Sequence, residues 1–227
     1  MRKFWGFYKN ESYNVGCSGG TVYIYDSNGT ELKKFRDFPY AYKAAFMPDS
    51  NIIAVKSTAG YIGFYDLEKL SLIKKHIVTR RGAQDEGFVF SSDGKFFYNI
   101  EKPILSTQTQ LGIYETASFN KINTLFADNK KMVLQHLEID KETGICYVLG
   151  FMRDGIGIFD YGFAGVFDYE KQIIDNIRVI DKGYGYLKGY KDWELSGFTD
   201  KSLEWNYSLK DLEEIKPITI REVFERV

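Results

Sequence analysis

Apolar residues along this chain come in short runs punctuated by turn residues, as in Ile52-Ile53-Ala54-Val55, Phe96-Phe97-Tyr98 and Ile145-Cys146-Tyr147-Val148-Leu149. Such runs are too short for helices and rich in β-branched and aromatic side chains, so they predict strands. Helical periodicity is nearly absent until the last twenty residues. Each of these strands follows a similar turn: Phe46-Met47-Pro48-Asp49-Ser50, Phe90-Ser91-Ser92-Asp93-Gly94, and Leu137-Glu138-Ile139-Asp140 with Gly144 soon after. A large apolar residue stands three before the aspartate, whose carboxylate is placed to accept backbone N–H groups within the turn. The shared turn context makes Asp49, Asp93 and Asp140 structural residues rather than a carboxylate site.

A second signature recurs downstream. Tyr25-Asp26, Tyr65-Asp66, Tyr114-Glu115 and Phe167-Asp168 each close an apolar strand, at intervals of 40, 49 and 53 residues. A further strand follows each: Leu32 to Phe35, Leu70 to Val78, Phe119 to Phe126 and Gln172 to Ile180. These last strands mix apolar with charged residues, as in Leu72-Ile73-Lys74-Lys75-His76. Middle strands apolar on both faces and a half-polar fourth strand are the gradient of four-stranded sheets stacked face to face, the outermost strand wet.

Composition supports this. Seventeen Tyr, eighteen Phe and three Trp among 227 residues, with twenty-one Gly and four Pro, suit pleated sheet joined by glycine turns. Thirty basic against thirty-one acidic side chains leave a net charge of −1, which gives no electrostatic footprint for nucleic acid or an anionic membrane. No apolar run reaches the ~18 residues of a membrane span, and Met1 to Gly6 lacks the features of a signal peptide. Cys17 and Cys146 are no disulfide framework, so a cytoplasmic, reduced setting is expected.

The Phe-Ser-Ser-Asp-Gly-Lys turn at 90–95 and the aromatic-Asp strand endings resemble WD-repeat and YVTN-type β-propeller blades. The resemblance covers residues 4 to 180. It lacks the Gly-His that opens a WD blade and the Trp-Asp that closes one, so the hydrogen-bonded His-Ser-Asp-Trp network of that family is not carried over. The resemblance implies an all-β fold: a small β-propeller of about five four-stranded blades, at ~40–45 residues each, in one domain. Blades are expected at 4–36, 42–78, 86–126 and 133–180, with an irregular last one at 183–216. A four-bladed closure with a C-terminal subdomain and a two-sheet sandwich are the rivals. A short helix is expected at 219–227, where Thr219 and Glu222 form a capping box and Ile218 and Val223 a hydrophobic staple.

Candidate chemistry is sparse. The chain carries no Gly-x-Ser-x-Gly elbow, His-Glu-x-x-His, Walker loop or Cys-x-x-Cys. Gly155-Ile156-Gly157 and Gly183-Tyr184-Gly185 lack the third glycine of a dinucleotide fingerprint and read as turns. His76 reads as a solvated residue of an outer strand, and no cofactor or metal site is expected. Innermost strands offer Lys43, Gln135 and His136 as central-channel candidates.

Loop lengths locate the expected working surface. Turns on one blade face are tight, whereas those on the other are long and varied: Arg36 to Ala41, Thr79 to Glu86, Glu101 to Gln110 and Arg153 to Gly162. Extra loop length is commonly functional. Binding-face candidates are therefore Phe38, Tyr40, Arg80, Arg81, Gln84, Asp85, Glu101, Lys102, Arg153, Asp154 and Tyr161. The expected function is a non-enzymatic module binding a protein partner through one face, as a scaffold subunit or a toxin-neutralising immunity-type protein. The alternative is a hydrolase or lactonase of the kind some propellers resemble, with a central-channel site.

Overall fold

Among the described residues, short aromatic and β-branched runs separated by turns fold into sixteen strands. The computed structural model describes residues 4–79, 87–103, 108–157 and 159–180, together with Arg221, Phe224 and Glu225. The strands divide between two compact units. In the first, β1 (Gly6–Lys9), β2 (Tyr13–Ser18), β3 (Thr21–Asp26) and β4 (Glu31–Phe35) form one antiparallel sheet. Its second sheet comprises β5 (Ala41–Phe46), β6 (Ile52–Ser57), β7 (Tyr61–Asp66) and β8 (Ser71–Ile77). The second unit holds a sheet of β9 (Phe88–Phe90), β10 (Phe96–Glu101), β11 (Gln110–Glu115) and β12 (Asn120–Leu125). Its other sheet is β13 (Met132–Ile139), β14 (Cys146–Arg153), β15 (Phe159–Asp168) and β16 (Ile173–Ile180). All four sheets are meanders in chain order, which rules out the two-sheet sandwich.

The repeat holds at the level of register. Tyr25, Tyr65, Tyr114 and Phe167 pair with Asn14, Ile53, Phe97 and Cys146 at the start of each second strand. The acid that follows three of these aromatics caps the next turn. Asp26 Oδ1 accepts the N–H groups of Asn28 and Thr30, Asp66 Oδ1 those of Glu68 and Lys69, and Asp168 Oδ1 that of Lys171. At the fourth, Glu115 accepts the Ser118 hydroxyl instead. Leu70, Phe119 and Gln172 then take positive φ immediately before the fourth strand, a left-handed step that this turn requires.

The first set of turn aspartates is less uniform than its spacing predicts. Asp93 accepts Lys95 N–H, but Asp49 takes positive φ (49°) and leaves the turn bond to Ser50 Oγ, which accepts Ile52 N–H. Asp140 sits at the register position of Ser91: Asp140 N–H bonds Ile145 O as Ser91 N–H bonds Phe96 O. Its carboxylate still caps its turn, accepting Glu142 and Thr143 N–H.

Burial follows the expected gradient. Cores form between the two sheets of each unit, since both carry apolar inner faces that must leave water. Val15, Ile24, Phe35, Ala44, Val55, Tyr65 and Leu67 belong to the first core. Tyr98, Ile113, Leu134, Val148, Phe163 and Phe167 belong to the second. Fourth strands are wet: β8 alternates exposed and half-buried positions, and Ile173, Ile177 and Val179 of β16 lie exposed.

Two expectations need correction or fall outside the described residues. Four sheets stand where about five were expected, the irregular fifth at 183–216 lying outside the described residues. The C-terminal helix is not seen as an element: Arg221, Phe224 and Glu225 have helical backbone, while Thr219 and Glu222 lie outside the described residues. Among the described residues no helix is long and apolar enough to cross a membrane.

Candidate functional site

The residues expected on a long-loop face are scattered in character. Arg80, Arg81, Gln84 and Asp85 lie outside the described residues. Phe38 is not presented to a partner: it is buried, stacked on Tyr61 at 5.8 Å between ring centroids and packed against Tyr65. Tyr40 is 63% exposed at a positive φ of 54°. The excursion expected at 153–162 is a short hairpin, because β14 and β15 are long enough to pair Met152 with Tyr161 and Arg153 with Phe159. Arg153 lies over the Phe151 ring, and Asp154 Oδ1 accepts Ile156 N–H within that turn. Lys102, Arg153, Asp154 and Tyr161 are half-buried.

The central-channel candidates lie on the first strands of their sheets. Lys43 is half-buried on β5 after a register shift. Gln135 and His136 stand at the irregularity of β13, where Gln135 O accepts Gly87 N–H and the imidazole is buried. His76 of β8 is half-buried and edge-on to Phe64.

Glu101 overturns its surface reading. Its side chain is 2% exposed at the end of β10, and Lys121 Nζ lies 2.7 Å from Oε2. Gln110 Nε2 donates to Oε2 at 3.0 Å and Tyr114 Oη to Oε1 at 2.7 Å. Burial alone would raise this carboxyl, yet the Lys121 ammonium and these donors outweigh it and hold it below the ordinary carboxylate value. Room for the carboxylate comes from Gly112, where a Cβ would collide with Glu101 Oε1. The buried carboxylate thus ties β10 to Gln110 and Tyr114 of β11 and to the partly exposed Lys121 of β12.

Among the described residues of the second unit, a cleft of about 490 Å³ opens where its two sheets meet. Short turns build its rim: Ser91–Asp93, Gly144–Ile145 and Asp168–Glu170, with Asp175 and Asn176 of β16. Phe96, Tyr98, Phe167 and Tyr169 line it because β10 and the end of β15 alternate aromatics toward the same core. Phe96 and Tyr169 lie 4.3 Å apart between centroids, and Tyr98 meets Phe167 edge-on at 5.2 Å.

Four carboxylates, Asp93, Asp168, Glu170 and Asp175, line the cleft, and no described lining residue is Lys, Arg or His. The Ser91 hydroxyl, donating at 2.7 Å, and Lys95 hold Asp93 down to about 2. Lys171 does the same for Asp168, its Nζ 2.7 Å from Oδ2, lowering that carboxyl as well. Both are ionised at neutral pH. Burial pushes the Cys146 thiol up to about 12, which keeps it protonated and a poor nucleophile. Ser91 donates to Asp93, and a carboxylate held that low is a weak proton acceptor, so this pair is poorly suited to activating the hydroxyl. Among the described residues, no three His, Cys, Asp or Glu side chains are grouped to hold a metal ion. Negative charge beside π faces attracts cations. Sequence reasoning set Asp93 aside as structural; the run Asp168-Tyr169-Glu170 and the Phe96/Tyr98 alternation were the available signals.

No family model and no curated protein matches the chain. Among solved structures it is similar to the hydrazine synthase of Kuenenia stuttgartiensis, with a TM-score of 0.61 and 15% identity. The match covers 78% of this chain and 49% of that one, so the chain spans about half of its structural neighbour. Identity that low carries the fold alone: this is an all-β protein of repeated four-stranded sheets, of the kind found in β-propellers.

Proposed function

We propose that the chain is a WD-repeat- or YVTN-like propeller protein that acts, in a reducing cytoplasmic setting, as a non-enzymatic module binding a protein partner. The reading moves the working surface of the second unit from the long loops to the short-turn cleft. One observation carries it: the cleft presents Asp93 and Asp168, each paired with a lysine beside the cleft, together with Glu170 and Asp175, next to Phe96, Tyr98 and Tyr169, and no residue of its described lining is basic. A basic segment of the partner suits such a site. A lysine or arginine end group there meets carboxylates on the rim while its stem lies along rings, an arrangement that places charge in water and apolar surface in contact. The protonated Cys146 and the carboxylate-bound Ser91 support binding over acyl-transfer chemistry.

The test is capture of a basic partner by wild-type protein and by Glu170→Lys with Asp175→Lys. Both positions are at the rim, so the melting temperature should change little while capture weakens at least tenfold, ~1.4 kcal/mol. The matched control, Lys33→Ala with Lys34→Ala on β4, should leave capture intact. Equal loss from both pairs means general electrostatics, and no loss from the cleft pair removes the cleft from the interface.

A further inference from the structure

Tyr98 of β10 lines the cleft and is only 4% exposed, yet its hydroxyl has no hydrogen-bond partner among the described residues. Its ring is fully engaged: Phe96 stacks with it at 6.3 Å, Tyr169 lies at 6.1 Å and Phe167 meets it edge-on. Burial raises the phenol well above its ordinary value, with Cys146, Tyr169 and Asp93 adding to the rise, so the group is a neutral hydroxyl. All three of those residues line the cleft, which puts the hydroxyl at the cleft end of the ring. The buried phenols Tyr65 and Tyr114 differ, because each donates to a carboxylate of its own unit. A buried polar group without a partner costs free energy, and beside a cleft a ligand supplies the partner.

The carboxylates of the cleft restrict the head group of that ligand. Asp93 Oδ1 accepts the Ser91 hydroxyl and Lys95 N–H, and its Oδ2 lies 3.0 Å from Lys95 Nζ. Asp168 Oδ1 accepts Lys171 N–H, and its Oδ2 lies 2.7 Å from Lys171 Nζ. Asp175 Oδ1 takes Asn176 Nδ2 at 3.3 Å. Both oxygens of Asp93 and of Asp168 already carry donors, so neither acid offers the open two-oxygen edge that a guanidinium fork grips. A compact ammonium needs only one remaining lone pair at each. Glu170 is exposed at the rim, where a paired charge is worth little. Resting on the reading of the cleft as the partner-binding surface, we propose that it is specific for a primary alkylammonium group, the end of a lysine side chain, which donates to the Tyr98 hydroxyl oxygen. The stem lies along Phe96 and Tyr169, both half-buried. A free alkyldiamine carries the same chemistry, so it enters the test as the other source.

Two fluorescently labelled peptides test it, one of alternating glycine and lysine and its counterpart with arginine. Each is titrated into the full chain, into Tyr98→Phe, and into Glu170→Lys with Asp175→Lys. The lysine peptide should bind the wild type about tenfold tighter than the arginine peptide, the scale of one hydrogen bond to a charged group. Tyr98→Phe should abolish that preference by weakening the lysine peptide alone. Its melting temperature should not change, because no bond within the protein is removed. Equal binding of both peptides to the wild type, lost in the rim variant, would overturn the ammonium preference and leave the cleft reading standing. Binding of neither peptide would overturn both. Undiminished lysine binding by Tyr98→Phe, with a lowered melting temperature, would also overturn the proposal, since the hydroxyl would then serve the fold. Free cadaverine added as competitor separates the sources. Displacement only far above the peptide's own working concentration supports a protein's lysine, whereas displacement at a matching concentration keeps the ammonium specificity and assigns the cleft to a free amine.

Discussion

Tyr65→Ala is expected to destabilise the protein by about 3–5 kcal/mol, the range for truncating a large aromatic in a packed core. Tyr65 is fully buried on β7, its ring 4.5 Å from that of Phe35 and in contact with Phe38. Its hydroxyl donates to Asp37 Oδ2 at 3.0 Å. Tyr65→Phe separates the two contributions, since it keeps the ring and removes one hydrogen bond, at a cost of ~1 kcal/mol. Urea denaturation of both variants measures the difference. An unchanged midpoint for Tyr65→Ala would contradict the assignment of the Tyr-Asp pair as the closure of a buried third strand.

The second large effect belongs to Lys121→Met. Removing the ammonium leaves Glu101 buried with only neutral donors, and breaking one side of a buried pair costs ~3–5 kcal/mol. Lys121 is 32% exposed, so water partly replaces it and about 3 kcal/mol is expected. Glu101→Gln added to Lys121→Met should recover most of that loss, because the uncompensated charge has gone. The pH dependence has a definite sign. In the wild type the carboxyl is held below its unfolded value near 4.5, so its contribution is present above that pH and is lost as pH falls through the folded value. In Lys121→Met the carboxyl is pushed up instead, so the deficit of the variant is greatest at neutral pH and narrows on acidification. A deficit of constant size from pH 7 to pH 4 would show that Lys121 acts through packing alone.

Strand order, repeat and burial gradient were legible because they are one-dimensional. Apolar runs punctuated by Asp and Gly, with an aromatic-acid pair at each third strand, recur along the chain and need no distant contact to be seen. Turn chemistry was legible only in type. Asp49, Asp93 and Asp140 look equivalent in sequence, yet Asp49 uses its left-handed backbone, Asp93 its carboxylate, and Asp140 a different register position. The surface was the hardest part. Glu101 ends an apolar strand before a long connection and reads as the start of a loop, but Lys121, twenty residues on, turns it inward. Phe38 reads as a loop aromatic until Tyr61 and Tyr65 are placed beneath it. The cleft itself joins residues 91–98 to residues 144–146 and 166–176, a proximity that only the packing of two sheets creates.

Amide hydrogen exchange of the partner complex tests the central claim most directly. Binding through the cleft predicts new protection at Ser91–Phe96, at Gly144–Cys146 and at Val166–Asn176, with the hairpin tip at Asp154–Gly157 and the segment Arg36–Tyr40 unchanged. Protection at those last two segments, with the cleft turns exchanging as in the free protein, would contradict it and return the interface to the long loops.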